Sequence, residues 1–503
     1  MSNLLQAVHR HAEQKPDVVA LRSLSQSLSW QVLQQAVDVL AQQLDSCSTL
    51  GLLLENSPAW VIADLAAIRA KICHIPLPTF FSDDQLLHAL TDAGIDHVIT
   101  DQPQRIQSLT DPVNASTVEI AGQKYHLIQL RQASKRTMVG EAEPISKVTY
   151  TSGTTGMPKG VKLPLTQIET VAQSLASAAQ AKADDRALVL LPLSTLLENI
   201  GSVYAPILAG AQIIIPSAAE LGLSGSSQID PKPLATTLNR CQPTTLIIPP
   251  QLLKLLLMLA REQRLPDSFR YIAAGGAPVG RALLDKAARL GLPIYQGYGL
   301  SEACSVVAVN TPDQNRIGSV GKPLSHHQVH IREDGEIVVK GQTYAGYLND
   351  KQRSTSSELA TGDLGYLDDD GYLYVTGRIN NRIISSFGRN ISPEWVESEL
   401  QSNSAILQAA VLGNDQPFLT AVLVPTPGIE PADLNSTMIQ VLAVTNRNLP
   451  DYAQIREFIV ADQPFTVANG QSTANGRPKR EDIERYYMNQ ISTLYEVQHG
   501  QVL

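Results

Sequence analysis

The sequence predicts an α/β protein whose first part is built on parallel sheets covered by helices. Two observations indicate this fold class. Short apolar runs typical of buried strands recur up to about residue 305, and segments with apolar residues at helical spacing separate them. Beyond that point the runs alternate in polarity or are rich in β-branched residues, and glycine and aspartate bound them, which is typical of antiparallel hairpins.

The strand-like runs of the first part share an unbroken apolar character, and they are Leu50–Leu54, His97–Thr100, Ala187–Leu191, Gln212–Ile215 and Thr245–Ile248. The helix-like segments between them are Trp60–Ala70, Gln85–Ala93 and Gln251–Ala260. Ligands of such sheets bind beyond the carboxyl ends of the strands, so we expect the functional loops to follow these runs.

The sequence after about residue 305 predicts smaller structural units. Gly335–Lys340 and Tyr372–Val375 are predicted strands, and the turn at 368–371 is a hairpin signal. From about Asn380 the pattern changes to strand, helix, strand, strand, helix. Its helix covers Pro393–Leu400 and is opened by Ser392, and two strands follow at 409–412 and 420–424.

Composition excludes several classes of protein. The chain has 503 residues, of which 43% are hydrophobic and 17% charged, which fits a folded globular protein. Its formal charge of −9 disfavours a large nucleic-acid surface. The apolar stretch Leu246–Ala260 is interrupted by Pro249 and Pro250, so we expect no transmembrane segment. The four cysteines are widely spaced without a CxxC pair, which indicates reduced thiols and a cytoplasmic location.

The strongest functional signal is the loop Tyr150–Gly160, which reads YTSGTTGMPKG. Its glycines allow backbone N–H groups to approach an anion closely, while hydroxyls and a lysine add donors. It predicts a cradle for a polyphosphate, formed by Thr151, Ser152, Gly153, Thr154, Thr155, Gly156 and Lys159. The spacing differs from a Walker A loop, and neither a P-loop kinase nor a Rossmann dehydrogenase fingerprint is present.

This loop closely resembles the phosphate loop of the adenylate-forming superfamily, which includes acyl-CoA synthetases, nonribosomal adenylation domains and firefly luciferases. Four further segments resemble motifs of that superfamily in the same order, and they are Ala274–Pro278, Gln296–Glu302, Thr361–Asp363 and Gly377–Arg378. Each segment alone would be an ordinary turn. Their common order makes coincidence a poor explanation.

The resemblance implies a role for each motif. Gly275, Gly276 and Ala277 would border adenine and the acyl pocket. In the second motif, with Gln296, Gly297, Tyr298, Gly299 and Ser301, the ring of Tyr298 would stack on adenine and Ser301 would contact a phosphate or carboxylate. Glu302, with Thr151, would hold Mg²⁺. Asp363 would bind the ribose hydroxyls, and Arg378 would add a second contact to the ribose or to a phosphate.

The resemblance also implies the architecture and the reaction. We expect a large N-terminal domain, residues 1–379, of two αβ subdomains plus a small β-barrel. A small mobile α+β domain, residues 380–503, would follow a hinge at Asn380, where the family commonly has Asp or Lys. A carboxylate would attack the α-phosphorus of ATP, and a thiol would then attack the acyl adenylate and release AMP.

The sequence departs from the family near its end. The catalytic lysine of the family usually lies in a short glycine-containing segment, which here reads NGRPKR, residues 475–480. Strict alignment puts Arg477 in its place, but an arginine head is wider and bulkier. Lys479 lies two residues later, and we favour it as the group that reaches the active site. The catalytic set is thus Lys479 or Arg477 with Glu302 and Thr151.

The predicted acyl pocket has an apolar wall, formed by Leu196, Leu197, Ala274, Ala303 and Val306. Amino-acid-activating members of the family that the chain resembles usually carry an aspartate in this region, which holds the substrate ammonium. Residues 191–199 contain no aspartate, so the resemblance argues against an α-amino acid. We therefore expect a medium- or long-chain fatty acid as substrate, with an aryl acid second.

Three functional hypotheses remain open at this stage. The acceptor is CoA in the first, and an acyl carrier protein, through its phosphopantetheine thiol, in the second. Arg477 and Asn380 prompt the third, a catalytically weak relative that binds ATP and an acyl group. We expect a monomer or homodimer and no nucleic-acid partner.

Overall fold

The computed structural model describes residues 2–131, 144–151, 157–224, 228–341, 343–348, 358–386, 389–473 and 476–499. The chain up to Pro164 contains strands β1 to β9, which are Val19–Arg22, Ser27–Ser29, Thr49–Leu53, Cys73–Pro76, His97–Thr100, Pro112–Ile120, Gln123–Leu130, Ile145–Thr151 and Lys159–Pro164. Its helices α1 to α5 are Asn3–Gln14, Trp30–Gln43, Pro58–Ala70, Asp83–Asp92 and Pro103–Leu109. Strands β3 to β9 form one sheet in the order β6-β7-β5-β3-β4-β8-β9, with β5, β3, β4 and β8 parallel.

The next stretch builds a second sheet. Helices α6 to α11 are Leu165–Ala178, Leu196–Glu198, Ala205–Ala209, Pro231–Cys241, Pro250–Arg261 and Arg281–Arg289. Strands β10 to β18 are Arg186–Leu188, Gln212–Ile214, Leu223–Ser224, Gln228–Ile229, Thr245–Ile248, Tyr271–Ala274, Ile294–Tyr298, Ala308–Val309 and Lys322–Pro323. The sheet order is β18-β17-β16-β15-β14-β10-β11-β1-β2, and its centre, from β16 to β1, is parallel.

Two smaller units follow. Strands β19 to β22, which are His327–Ile331, Glu336–Gly341, Glu358–Leu367 and Leu373–Arg378, form an antiparallel sheet. Strands β23 to β27 are Ile383–Ile384, Asn390–Ile391, Ile406–Leu412, Leu419–Pro425 and Ile455–Val460, and helices α12 to α15 are Pro393–Gln401, Pro431–Asn446, Arg480–Tyr486 and Met488–His499. Strands β25, β26 and β27 make a mixed three-stranded sheet.

The predicted fold class is confirmed: a large N-terminal α/β part precedes a smaller C-terminal α+β part. Strands β5 and β14 have the bounds that their apolar runs predict. Ser392 precedes α12 as expected, but its hydroxyl donates to the Glu394 carboxylate at 3.1 Å and forms no backbone cap. Within the described ranges, no helix is both long and apolar enough to cross a bilayer.

A buried polar cluster ties α3 to both β4 and β8. The Lys147 ammonium lies 2.9 Å from a carboxylate oxygen of Asp64 and donates to the Tyr204 hydroxyl at 2.8 Å. Asp64 is 0% exposed, and it also accepts from Tyr204 and lies 2.7 Å from His74. Burial alone would raise the pKa of Asp64, but the charges of Lys147 and His74 outweigh burial and lower it far below its usual value.

Candidate active site

The predicted site residues of the second sheet lie where its parallel strands end. The turn 275–280 follows β15, and the segment 299–305 follows β16. Parallel strands direct the loops at their carboxyl ends to one edge of the sheet, which is the usual ligand edge of an open α/β sheet. The fold therefore explains why motifs separated in sequence share one cleft.

Asp363 is held between two predicted site residues. The Tyr298 hydroxyl donates to one carboxylate oxygen at 2.7 Å, and Nε of Arg378 donates to the other at 2.6 Å. Asp363 is 6% exposed, and each oxygen retains lone pairs for a further donor, such as a ribose hydroxyl. Burial and the nearby Asp363 charge raise the pKa of Tyr298, which therefore stays a neutral donor.

The turn before Asp363 is fixed by a residue that the sequence did not identify. Gly362 has a φ of +70°, which favours glycine, and its N–H donates to the Glu336 carboxylate at 2.9 Å. The Thr361 hydroxyl donates to the Ile337 carbonyl at 2.8 Å and accepts from the Asp363 N–H. Glu336 on the neighbouring strand β20 and Thr361 on β21 itself thus fix the backbone that carries the Asp363 carboxylate.

Tyr347 connects Glu302 to Lys159, and Tyr344 contacts Glu302 as well. The Tyr347 hydroxyl donates to a Glu302 carboxylate oxygen at 2.7 Å, and the Tyr344 N–H donates to the Glu302 carbonyl at 2.7 Å. The Lys159 ammonium lies 5.6 Å from the centre of the Tyr347 ring. No sequence motif marked Tyr344 or Tyr347, because their contacts lie far away along the chain.

The phosphate loop starts and ends at a strand pair. Thr151 ends β8 and faces Lys159, the first residue of β9, in the antiparallel ladder. Both residues therefore stand at the base of the loop that the sequence predicts to hold phosphates. The predicted phosphate-binding residues Ser152, Gly153, Thr154, Thr155 and Gly156 lie outside the described residues.

The segment after β16 has an unusual backbone. A Cβ at Gly299 would overlap the Ser305 carbonyl oxygen, so glycine lets the chain fold back on itself. Cys304 and Ser305 have φ angles of 53° and 95°, which side-chain-bearing residues seldom adopt. Such conformations persist only where surrounding structure enforces them, and they cluster at functional sites. The fold-back places Ser301 and Glu302 in a short 3₁₀ turn.

Arg477 reaches this cleft with its side chain. A guanidinium nitrogen of Arg477 (Nη2) donates to the Gly276 carbonyl at 2.7 Å, although the side chain stays accessible to solvent. Desolvation in the cleft and the charge of Arg378 lower the pKa of Arg477, whereas Asp363 opposes this shift. Lys479 is the residue before α14, and its N–H donates to the Gln471 carbonyl. The contact with Gly276 favours Arg477, and the choice between Arg477 and Lys479 stays a prediction.

Gln296 lines a cavity of about 60 Å³, together with Asn310, Arg316 and Ser319 among others. Gly297 lies close to β17, where a Cβ would be 3.2 Å from the Ala308 carbonyl. The predicted nucleotide contact of Gln296 stays a prediction.

The five predicted pocket residues fall into three hydrophobic clusters. Leu196, Leu197 and Val306 belong to the large cluster that includes Cys304. Ala274 belongs to the hydrophobic cluster of the second sheet. Ala303 packs with Val307 and with Val339, which lies on β20. A methyl group of Leu197 lies 3.8 Å from the Cβ position of Gly275, which connects the α7 segment to the turn 275–280.

Glu198 directly follows the predicted pocket leucines and was not identified from the sequence. It is 0% exposed, and its Oε1 accepts from the Leu190 N–H at 2.8 Å. Burial raises its pKa to about 8, so the side chain is largely neutral at pH 7. A π-helix, Asn199–Tyr204, begins directly after it and carries Tyr204 of the buried polar cluster.

The predicted hinge lies in a short turn. Asn380 is the middle residue of the 3₁₀ turn Ile379–Asn381, between β22 and β23. The adjacent Asn381 amide donates to the Glu394 carboxylate at 2.6 Å and so attaches the turn to α12. A rotation about Asn380 stays a prediction, as does the domain boundary at 379.

The parallel sheets, with a cleft at the carboxyl ends of their strands, are typical of a nucleotide-using enzyme. The chain belongs to the AMP-binding enzyme family: it matches that family over residues 8–350 and the AMP-binding enzyme C-terminal domain over residues 380–499. The predicted resemblance is therefore confirmed across most of the chain.

Three known proteins illustrate this relationship. The 2-succinylbenzoate–CoA ligase of Bacillus subtilis strain 168 is 29% identical over 428 residues, covering 80% of this chain and 84% of the relative. Long-chain-fatty-acid–CoA ligase FadD15 of Mycobacterium bovis is 25% identical, covering 98% and 97%. The structure of o-succinylbenzoate CoA synthetase from Bacillus subtilis with ATP and magnesium has a TM-score of 0.75 and 26% identity, covering 96% and 99%.

Proposed function

We propose that this AMP-binding enzyme is an acid–thiol ligase that activates a carboxylic acid with ATP and transfers the acyl group to CoA. The observation that carries the proposal is the convergence of Asp363, Arg378 and Arg477 on one cleft, with Glu302 and Lys159 joined through Tyr347. The named relatives described above are all CoA ligases, which supports the same chemistry.

The residues of the cleft suit the first half-reaction, in which a carboxylate attacks the α-phosphorus of ATP and pyrophosphate leaves. Asp363 would accept from the ribose hydroxyls, and Arg378 would hold that carboxylate in place. Arg477 would neutralise charge on the reacting phosphate and acyl oxygens, because its guanidinium lies at the turn between the predicted adenine and acyl sites. Lys159 and the loop 151–156 would hold the β- and γ-phosphates.

The donor set fits Mg²⁺ bound together with the nucleotide. Glu302 supplies one carboxylate, of which one oxygen already accepts from Tyr347. Among the described residues, no group of three or more His, Cys, Asp and Glu side chains could hold a metal by itself. Mg²⁺ commonly binds through one or two carboxylates plus substrate phosphates. When bound, it would neutralise phosphate charge, and Glu302 and Thr151 are the residues that would hold it.

The acid we propose is apolar, and a medium- or long-chain fatty acid is the first candidate. Leu196, Leu197 and Val306 share one apolar cluster beside the turn 275–280. An aromatic acid is the second candidate, because 2-succinylbenzoate–CoA ligases are among the relatives of higher identity. We retain transfer to a carrier protein as the alternative for the thiol acceptor.

The test measures acid-dependent pyrophosphate release with Mg-ATP across saturated fatty acids of increasing length, benzoates and 2-succinylbenzoate. Thioester formation is then measured with CoA and with a carrier protein. We expect pyrophosphate release with one acid class and a CoA thioester as product. Release without a CoA thioester would favour the carrier protein, and no release with any acid would overturn the proposal and support a weakly catalytic relative.

A further inference from the structure

The small C-terminal part rests on helices α10 and α11 through two lysines. The Lys254 ammonium donates to the Ile406 carbonyl at 2.7 Å, and the Lys286 ammonium donates to the Ser402 carbonyl at 3.0 Å. Ser402 is the residue that ends α12. The end of a helix has free carbonyls and partial negative charge, so a cation is favourable there. Both bonds therefore join the large part of the molecule to main-chain atoms of the small part.

A glycine allows the two parts to approach closely between these lysines. Gly280 has a φ of −63°, which any residue adopts, so the backbone does not require glycine. A Cβ at this position would overlap the Ser402 hydroxyl and lie 2.8 Å from the Ser398 carbonyl. The absence of a side chain at Gly280 is therefore a requirement of the contact with α12.

The same elements also position Arg477. Its acceptor, Gly276, lies on the same turn as Gly280, four residues earlier. The Gln251 amide lies 3.3 Å from the Cβ position of Gly476, the residue before Arg477, and Gln251 is one helical turn from Lys254 on α10. The lysine contacts and the Arg477 contact thus belong to one continuous contact surface.

This surface is incompletely packed. A cavity of about 30 Å³ lies within it, lined by Gln251, Lys254, Gly280, Ser398 and Leu407 among others. A space of this size has room for a water molecule beside polar groups. The two lysine hydrogen bonds are polar contacts, and polar contacts between domains permit relative motion. The contact can therefore hold one arrangement and release it.

We propose that Lys254, Lys286 and the side-chain-free Gly280 form a latch that holds the C-terminal part with Arg477 in the nucleotide cleft. The three are positioning residues for adenylate formation, and the latch opens before the thiol attacks. This inference rests on the proposed ligase function, because it assigns the described arrangement to the first of its two half-reactions.

The main experiment separates the two half-reactions in Lys254→Met, Lys286→Met and the double variant. Adenylate formation is followed by acid-dependent pyrophosphate release, and thioester formation is followed with CoA and chemically synthesised acyl adenylate. We expect adenylate formation to fall about tenfold in each single variant and further in the double variant, as loss of a charged hydrogen bond implies. Thioester formation from supplied adenylate should stay the same or increase.

Lys232→Met is the matched control, because Lys232 is an exposed lysine on the neighbouring helix α9. It should leave both half-reactions unchanged. An equal fall of both half-reactions in the latch variants would indicate a stability defect and overturn the latch, as would unchanged adenylate formation. If the wild-type protein releases no pyrophosphate with any acid, the ligase proposal itself fails.

Gly280→Ala tests the latch by adding a steric overlap, whereas the lysine variants remove hydrogen bonds. The added methyl group should reduce adenylate formation selectively, because it displaces α12 while Gly280 keeps an ordinary backbone angle. Ser402→Ala in the same chain removes one of the two overlapping atoms and should restore part of the activity. Absence of any selective loss in Gly280→Ala would contradict the latch.

A distance measurement tests the latch without catalysis. The four native cysteines are buried, so spin labels can be attached selectively at Asp267→Cys and Asn435→Cys, two exposed positions on the large and small parts. The double lysine variant should broaden the distance distribution relative to the wild-type background, and Lys232→Met should not. Identical distributions in all backgrounds would overturn the latch even if the ligase proposal fails.

Discussion

Arg477 gives the cleft a fixed positive charge. Arginine stays protonated at every physiological pH, and its planar head can donate two bonds to one anionic group. Its bond to Gly276 uses one donor and leaves others available for a reacting oxygen. A lysine at the same position would offer a more compact charge on a longer, more flexible stem.

This geometry predicts unequal effects for two nearby basic residues. Arg477→Met should lower adenylate formation by about 10²–10³-fold, the usual cost of one transition-state charge partner. Lys479→Met should have a much smaller effect, because Lys479 precedes α14 and Arg477 occupies the cleft. Both are measured by acid-dependent exchange of labelled pyrophosphate into ATP. A larger loss in Lys479→Met would restore the assignment favoured by the sequence.

Glu198 predicts a dependence of stability on pH. Its pKa is about 8 in the folded protein, and the usual glutamate value of about 4.3 applies after unfolding. Between these values the folded state holds one more proton, so stability should fall by about 1.4 kcal/mol per pH unit as pH rises, and the loss should end near pH 8. Glu198→Gln should reduce this slope between about pH 5 and 8, measured by urea unfolding.

Glu481→Gln is the control for that measurement, because Glu481 is exposed on α14. Its slope should match the wild-type slope. A Glu198→Gln variant with an unchanged slope would show that the Glu198 carboxyl ionises in the folded protein as it does in water.

At the scale of elements, the buried polar cluster fixes how α3 packs against the first sheet. Lys147→Met would leave the Asp64 carboxylate buried without its main counter-charge. We expect destabilisation of about 3–5 kcal/mol, and Asp64→Asn in the same chain should recover part of it, because the pair is then removed together. Urea unfolding monitored by tryptophan fluorescence measures both variants.

Lys124→Met serves as the control, since Lys124 is an exposed lysine on β7 of the same sheet. Its effect should stay within about 0.5 kcal/mol. Equal destabilisation by Lys147→Met and Lys124→Met would show that the cluster contributes no specific stability.

The sequence predicted elements whose signal is local. The apolar runs at 97–100 and 245–248 became β5 and β14, and the motifs located Asp363, Arg378 and Glu302 in one cleft. Contacts between distant residues had no such signal. Nothing in the residues around Lys147 indicates its partner Asp64, which lies in α3.

The same limit explains which parts of the site were missed. Glu336, Tyr344 and Tyr347 act on motif residues from other strands and turns, and nothing in their own neighbourhoods marks them. The choice between Arg477 and Lys479 depended on how one turn enters the cleft, which residue spacing alone does not determine.

At the scale of the whole molecule, the reactivity of the four cysteine thiols shows whether the protein is folded. All four are free and buried, and burial raises the pKa of Cys47, Cys73 and Cys304 to about 12. The folded protein should therefore react negligibly with a disulfide reagent such as DTNB at pH 8, while unfolded protein should release four equivalents of thionitrobenzoate. Rapid reaction of one thiol in the native protein would reveal local opening around it.

The acceptors of Lys254 and Lys286 are main-chain carbonyls, and this has a consequence for how the protein can evolve. Every residue type supplies a carbonyl, so substitutions at Ser402 or Ile406 preserve the acceptors as long as the helix end keeps its path. For these two bonds, only the large part of the molecule must keep particular side chains, which are the two lysines. Ser402 and Ile406 are themselves buried, so packing limits the side chains at these positions, whereas the two lysine bonds do not.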